Sequence, residues 1–126
     1  MKVTVGNIKH GDTGEYIGRA GRGRAGSPLA NPYRIGRHGD RAEVIRRYRS
    51  WLWQNIQAGN REVMAELHRL LALARRPEGV QLLCFCAPLP CHGDVIARTL
   101  EWLDRVESEP VVAAAISLGG QIVRVG

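Results

Sequence analysis

The chemistry-bearing residues crowd into CFCAPLPCHGD, positions 84–94. Cys84 and Cys86 stand two apart in an apolar run, so on a strand they share a face. Cys91 and His92 fall where the next helix should begin. Backbone N–H groups there lack partners and the helix dipole is positive, which draws anions and lowers a thiol's pKa. Asp94, in the first turn, complements that dipole and is placed to orient His92. Three readings stay open. In one, Cys91 is a nucleophile or His92 a general acid and base, with Asp94 in support and no cofactor. In another, Cys84, Cys86, Cys91 and His92 hold zinc; the ligand types fit, but C-x-C-x4-C-H is not the usual pair of separated knuckles. In the third, Cys84 and Cys86 are small core residues while Cys91 and His92 only cap a helix.

The second constellation is RAGRGRAGSPLANPYRIGR, positions 19–37. Glycine-rich backbone with arginine side chains can cradle phosphate. Arg19, Arg22, Arg24 and Arg34 would supply charge and Ser27 and Asn31 hydrogen bonds. Tyr33 offers a stacking surface, and Cys86 should reach the same ligand. No G-K-[ST] follows, so this is not a Walker loop. Gly21, Gly23 and Gly26 match G-x-G-x-x-G, but without a clear strand-to-helix setting. The competing reading is that Ser27 and Asn31 merely turn the chain before Pro28 and Pro32.

Charge favours an anionic partner. The chain carries 18 basic and 12 acidic residues, for a net +6. Arg19 to Arg49 holds nine arginines against Asp40 and Glu43, a local +7, so the remainder sums to −1. All but Lys2 and Lys9 of the bases are arginine, whose planar fork matches phosphate oxygens better than lysine does. The alternative is a solvated, arginine-rich surface.

The elements that must position these residues can be read from periodicity. KVTVGNI (2–8) alternates and reads as a strand, and EYIGR (15–19) as a second, short one. Residues 20–39, with Gly21, Gly23, Gly26, Gly36, Gly39, Pro28 and Pro32, form a long irregular loop. Asp40 caps a helix over 41–57 with Ile45, Tyr48, Leu52 and Ile56 inward and Gly59 as its stop. Asn60 caps another over 61–76, with Val63, Leu67, Leu70, Leu71 and Ala74 on one face. VQLLCFC (80–86) reads as a buried central strand. A helix from His92 or Gly93 to Val106 turns Ile96, Leu100 and Leu103 inward. Val111–Ile116 reads equally as helix or strand, and QIVRV as a small strand. Trp51 and Trp53 suit packing or a homodimer contact better than base stacking.

Strand, helices, strand, helix with short connections gives the α/β class: a small Rossmann-like domain, in two or three layers, with a short, mainly parallel sheet flanked by helices. Ligands in such sheets sit beyond the carboxyl ends of the strands, so both constellations should meet at one rim. The 126 residues suffice for one domain, taken as 1–107, with 108–126 an extension that can pack on it. At 44% hydrophobic and 24% charged, the chain is neither disordered nor collagen-like. No apolar run spans a bilayer, and no secretory signal is expected. Three cysteines are too few for a disulfide framework, so a cytoplasmic home is expected.

YIGR (16–19), GSPLANPY (26–33), the R-x-x-V-I-x-x-Y-x-x-W-L helix (41–52) and CFCAPLPCHGDVIA (84–97) together resemble a small phage and bacterial family. That family is catalogued as a domain of unknown function, with GSPLGNP-type and C-x-P-x-x-CHGD-type signatures. The resemblance spans about residues 2–105. The chain departs from it at Ala30, where the pattern often has glycine, and the tail from Ser108 has no counterpart. The turn is also similar to the C-x5-CH turn of another uncharacterised Rossmann-like family. The resemblance implies a Rossmann-like fold and a site uniting both motifs, and no reaction. The function expected from the charge and the two constellations is binding, with or without processing, of a phosphate-bearing ligand: a nucleotide or a nucleic-acid end, with N-glycosidic or phosphoester hydrolysis as the reaction classes if there is chemistry. The alternative is a non-enzymatic nucleic-acid-binding accessory protein, with or without zinc.

Overall fold

The computed structural model describes residues 1–21 and 23–108. Three strands, β1 (Val3–Asn7), β2 (Glu15–Tyr16) and β3 (Val80–Cys84), form one sheet in the order β1-β3-β2, and both pairings are parallel. Among the described residues three α-helices pack with it: α1 (Arg41–Gln57), α2 (Arg61–Ala74) and α3 (His92–Glu107). This is a small Rossmann-like α/β domain with a wholly parallel sheet.

Each helix buries the stripe its spacing specifies. α1 turns Val44, Tyr48, Leu52 and Ile56 inward, with Ile45 only partly buried. α2 buries Val63, Leu67, Leu70, Leu71 and Ala74; α3 buries Ile96, Leu100 and Leu103. Side chains of Asp40 and Asn60 accept the N–H groups of Glu43 (2.9 Å) and Val63 (3.2 Å), fixing where α1 and α2 start. From the sheet, Val80, Leu82 and Cys84 join this core, with Val3 and Val5 packed against it. These are alternate positions on adjacent strands, so the helical layer covers one face.

The other face is crossed by the chain itself. Parallel strands normally need a crossover of a dozen or more residues, yet residues 8–14 link β1 to β2. The link suffices because it steps back so little: Asn7 pairs with Cys84 and Glu15 with Leu82. It must lie directly on β3. A Cβ on Gly14 (φ +151°) would collide with the Gln81 carbonyl. Asp12 Oδ2 accepts the Asn7 N–H at 2.8 Å and anchors the crossing. Of the two- and three-layer forms expected, the domain takes the two-layer one.

Several boundaries differ from expectation. β2 ends at Tyr16, although the Ile17 N–H still bonds the Leu83 carbonyl at 3.1 Å. β3 stops at Cys84 rather than residue 86, because the Cys86 N–H turns onto the Cys84 sulfur at 3.4 Å. Residues 20–39 hold no helix or extended strand among those described, and Leu29, fully buried, pins this loop to the core. Among the described residues no helix is long and apolar enough to cross a membrane. The elements expected within 110–125, and the extension proposed for 108–126 beyond Ser108, lie outside the described residues.

The close crossing predicts a contrast between two glycines. Gly11 has φ +79° and open space where a Cβ would sit. Gly11→Ala should cost only the conformational penalty, about 1–2 kcal/mol. Gly14→Ala adds a collision with backbone and should cost about 3 kcal/mol or more. Urea midpoints of the two variants check this; equal losses would refute the crossing.

Candidate functional site

All three strands point their carboxyl ends to one rim, and the chain beyond β1 and β2 is tied there to the turn between β3 and α3. Asn7, the last residue of β1, is buried. Its Nδ2 donates to the Ala87 carbonyl at 2.8 Å, and its Oδ1 accepts the Lys9 N–H. Just past β2, the Ile17 carbonyl accepts from His92 Nε2 at 2.7 Å. The turn contains a cis peptide bond at Ala87–Pro88. Cys91 closes it as the N-cap of α3: its sulfur accepts the Gly93 N–H at 3.3 Å, and Asp94 Oδ2 accepts the Cys91 N–H at 3.0 Å.

These bonds fix the roles of the histidine. A carbonyl can only accept, so Nε2 of His92 carries the proton and Nδ1 is the basic nitrogen. Burial holds the His92 pKa below its ordinary value. The bond to the Ile17 carbonyl partly opposes this, while the nearby Arg19 charge adds to it. The imidazole is therefore neutral near pH 7. Asp94, expected to orient His92, is instead engaged with the Cys91 backbone; Ile17 and the ring of Tyr48, edge-on at 5.1 Å, hold the imidazole. Tyr48 also donates its hydroxyl to the Leu29 carbonyl at 2.7 Å, so one buried side chain braces the imidazole and the loop together.

Cys84 and Cys91 meet with their sulfurs 3.2 Å apart. Cys84 is the acidic member, drawn down to about 6 by the hydrogen bond from the Cys91 thiol, against the cost of burial and with help from the Cys86 and Ala87 N–H groups. Cys91 is pushed up by the same hydrogen bond and by its own burial, opposite to the shift that a helix start alone would give.

A cavity of about 530 Å³ opens over this corner. From the loop, Arg19, Asn31, Tyr33 and Arg34 line it; from the turn come Cys84, Cys86, Cys91 and His92. The two constellations thus share one hollow. Arg41, at the start of α1, also lines it, with Nη1 on the Pro90 carbonyl at 2.9 Å. Arg19 Nη1 bonds the Asn31 carbonyl at 2.8 Å. No carboxylate lines the cavity among the described residues, and no ion pair there engages Arg19, Arg34 or Arg41.

Other expected residues lie elsewhere. Arg24 sits over the Tyr16 ring, 5.5 Å from its centroid, outside the cavity lining. Ser27 accepts the Leu29 N–H at 3.0 Å and shapes a turn, as the alternative reading had it. Asn31 does both: its Oδ1 accepts the Tyr33 N–H at 2.9 Å while the residue lines the cavity. Arg22 lies outside the described residues. Among the described residues no group of three His, Cys, Asp or Glu is arranged for a metal ion. Sequence reasoning overlooked Arg41, Asn7 and Tyr48. Asn7 left a trace, a polar residue closing an apolar strand, and Arg41 another, a base immediately after a helix cap.

Acid should weaken the domain. His92 has its pKa lowered on folding, and so has Cys84. Between the folded and unfolded values the unfolded chain binds more protons, so stability rises with pH and falls on acidification. For His92 the loss begins as pH drops below about 6.5, its unfolded value. For Cys84 it grows as pH falls from the unfolded thiol range and is complete below about 6. Urea midpoints between pH 7 and 5 should fall in the native chain and fall less steeply in His92→Gln; parallel slopes would contradict this.

No curated protein and no solved structure matches the chain. A family match covers residues 4–102, the stretch that holds both the arginine-rich loop and the CFCAPLPCHGD turn. The chain belongs to the family described as Domain of unknown function (DUF4326).

Proposed function

We propose that this cavity binds a phosphate-bearing ligand of nucleotide size. The observation that carries the reading is Arg19, Arg34 and Arg41 around one hollow with no carboxylate among its described lining residues. Guanidinium groups without acidic partners keep their charge and donors for an incoming anion. The volume, about 530 Å³, falls within the ordinary range of small-molecule sites. Tyr33 and Phe85 add aromatic surface to the same wall, which suits a base.

The distribution of the remaining charge favours a pocket over a phosphate-backbone track. On α1, Arg46 and Arg47 both pair with Glu43, so part of the basic quarter is already answered by an acid of its own helix. Within this reading, processing of the ligand falls to Cys84, as a thiolate, and His92, as a neutral base through Nδ1. Phosphoester or N-glycosidic hydrolysis are the reaction classes that such groups serve.

Nucleoside mono- and diphosphates should raise the melting temperature, and the matching nucleosides should not. Arg34→Gln and Arg41→Gln should each weaken binding by about ten- to a hundredfold, the worth of one charged hydrogen bond. Thermal shift and isothermal titration read both effects. A flat response across the phosphate panel, or affinity unchanged in both variants, would overturn the proposal.

A further inference from the structure

Cys84 and Cys91 share a feature that binding an anion does not explain. Their sulfurs lie 3.2 Å apart, closer than two sulfurs in ordinary van der Waals contact, and both residues are only 4% exposed. Each sulfur has its own backbone donor, the Cys86 N–H on Cys84 at 3.4 Å and the Gly93 N–H on Cys91 at 3.3 Å. Both residues line the cavity, so a small molecule reaches them from it. The third thiol differs. Cys86 lines the same cavity, but its hydrogen bond to the pair runs through its backbone N–H.

We propose that Cys84 and Cys91 are a reversible oxidation site, closed to a disulfide by a small peroxide that enters through the cavity. The Cys84 thiolate attacks one peroxide oxygen. An S–O bond forms, the O–O bond breaks, and the departing hydroxide takes a proton to become water. The sulfur, oxidised by two electrons, is now a sulfenic acid. Cys91 attacks that sulfur; the S–S bond forms, the S–O bond breaks, and the hydroxide leaves as water with the Cys91 proton. Two thiols and one hydrogen peroxide thus give one disulfide and two waters. A thiol reductant small enough to enter the cavity, as a bulky disulfide is not, reverses the change by exchange.

The burial selects the oxidant. Thiol–disulfide exchange requires the attacking and leaving sulfurs to align through a mixed disulfide, which a bulky disulfide cannot arrange on residues 4% exposed. Peroxide needs only one oxygen at the sulfur. In the proposed order Cys84, which the hydrogen bond shared by the two sulfurs makes the more acidic thiol, reacts first, and the proton of Cys91 leaves with the second water.

The test begins with Cys86→Ser, which keeps the pair and removes the third of the free cysteines. Hydrogen peroxide should consume both thiols together, leave a monomer lighter by two hydrogens, and be fully reversed by dithiothreitol. The proposal fails if both thiols survive a dose that oxidises free cysteine. It also fails if the chain gains oxygen instead, or if the disulfide joins two chains. In Cys91→Ser, dimedone should trap a sulfenic acid on Cys84. Equal trapping on Cys91 in Cys84→Ser would overturn the order of attack. None of these readouts depends on a phosphate ligand.

Discussion

The site depends on a parallel sheet with β3 at its centre. Parallel pairing sends the ends of β1, β2 and β3 to one rim, so the chain leaving β3 must emerge between the segments that leave β1 and β2. Polar groups there cannot be left unpaired where water is excluded. The turn answers on both sides: Ala87 takes the amide of Asn7, and His92 gives its Nε2 proton to Ile17. The imidazole, the thiols and the loop entrance are thereby set relative to one another by bonds to the sheet's own edges. No buried side-chain nitrogen or oxygen among the described residues lacks a partner, as expected where a few polar groups hold a small corner together.

The loop that carries the arginines is held by apolar means. Leu29 is fully buried, and its carbonyl receives the hydroxyl of Tyr48. Burial pushes the Tyr48 pKa up, so the hydroxyl stays protonated and stays a donor. One residue of α1 therefore fixes the loop through its oxygen and His92 through its ring. The guanidinium groups are left to the exposed side, where arginine's aliphatic stem can pack while its head stays in water. The rigidity of the pocket comes from its core-facing anchors and its charge from its solvent-facing residues.

Helices were the most legible part of the fold, because an apolar stripe and a cap are local signals. Asp40, the Ile45–Tyr48–Leu52–Ile56 spacing and Gly59 mark α1 from start to stop, and Asn60 marks the start of α2. Strands were legible as apolar runs, but their ends were not. β3 stops where a sulfur, rather than a neighbouring strand, takes the next N–H. That the two constellations meet was implied by the parallel sheet alone. Which thiol is acidic was not implied by it. Helix-start reasoning picked Cys91, whereas the contact between the two sulfurs shifts Cys84 down and Cys91 up. Asn7 and Ala87 lie eighty positions apart, and no periodicity reports such a bond. Ser27 had two open readings from its type alone, ligand contact and turn, and its Oγ accepts the Leu29 N–H in a turn.

The two proposals bear on each other through charge. A Cys84 thiolate places a negative charge on the inner wall of a cavity whose rim carries Arg19, Arg34 and Arg41. A phosphate held at that rim is attracted by the guanidinium groups and repelled by the thiolate, and the low dielectric around buried sulfurs makes the repulsion reach further than it would in water. Disulfide formation would remove the thiolate and leave the arginines. The oxidised cavity would then be the more electropositive one and would hold an anion more tightly. Linkage makes the relation reciprocal: an anion that prefers the oxidised form also makes the disulfide harder to reduce. If both proposals hold, a pocket with arginine at its mouth and a proton-sharing thiol pair at its base would have its ligand occupancy and its redox state tied by the same electrostatic term.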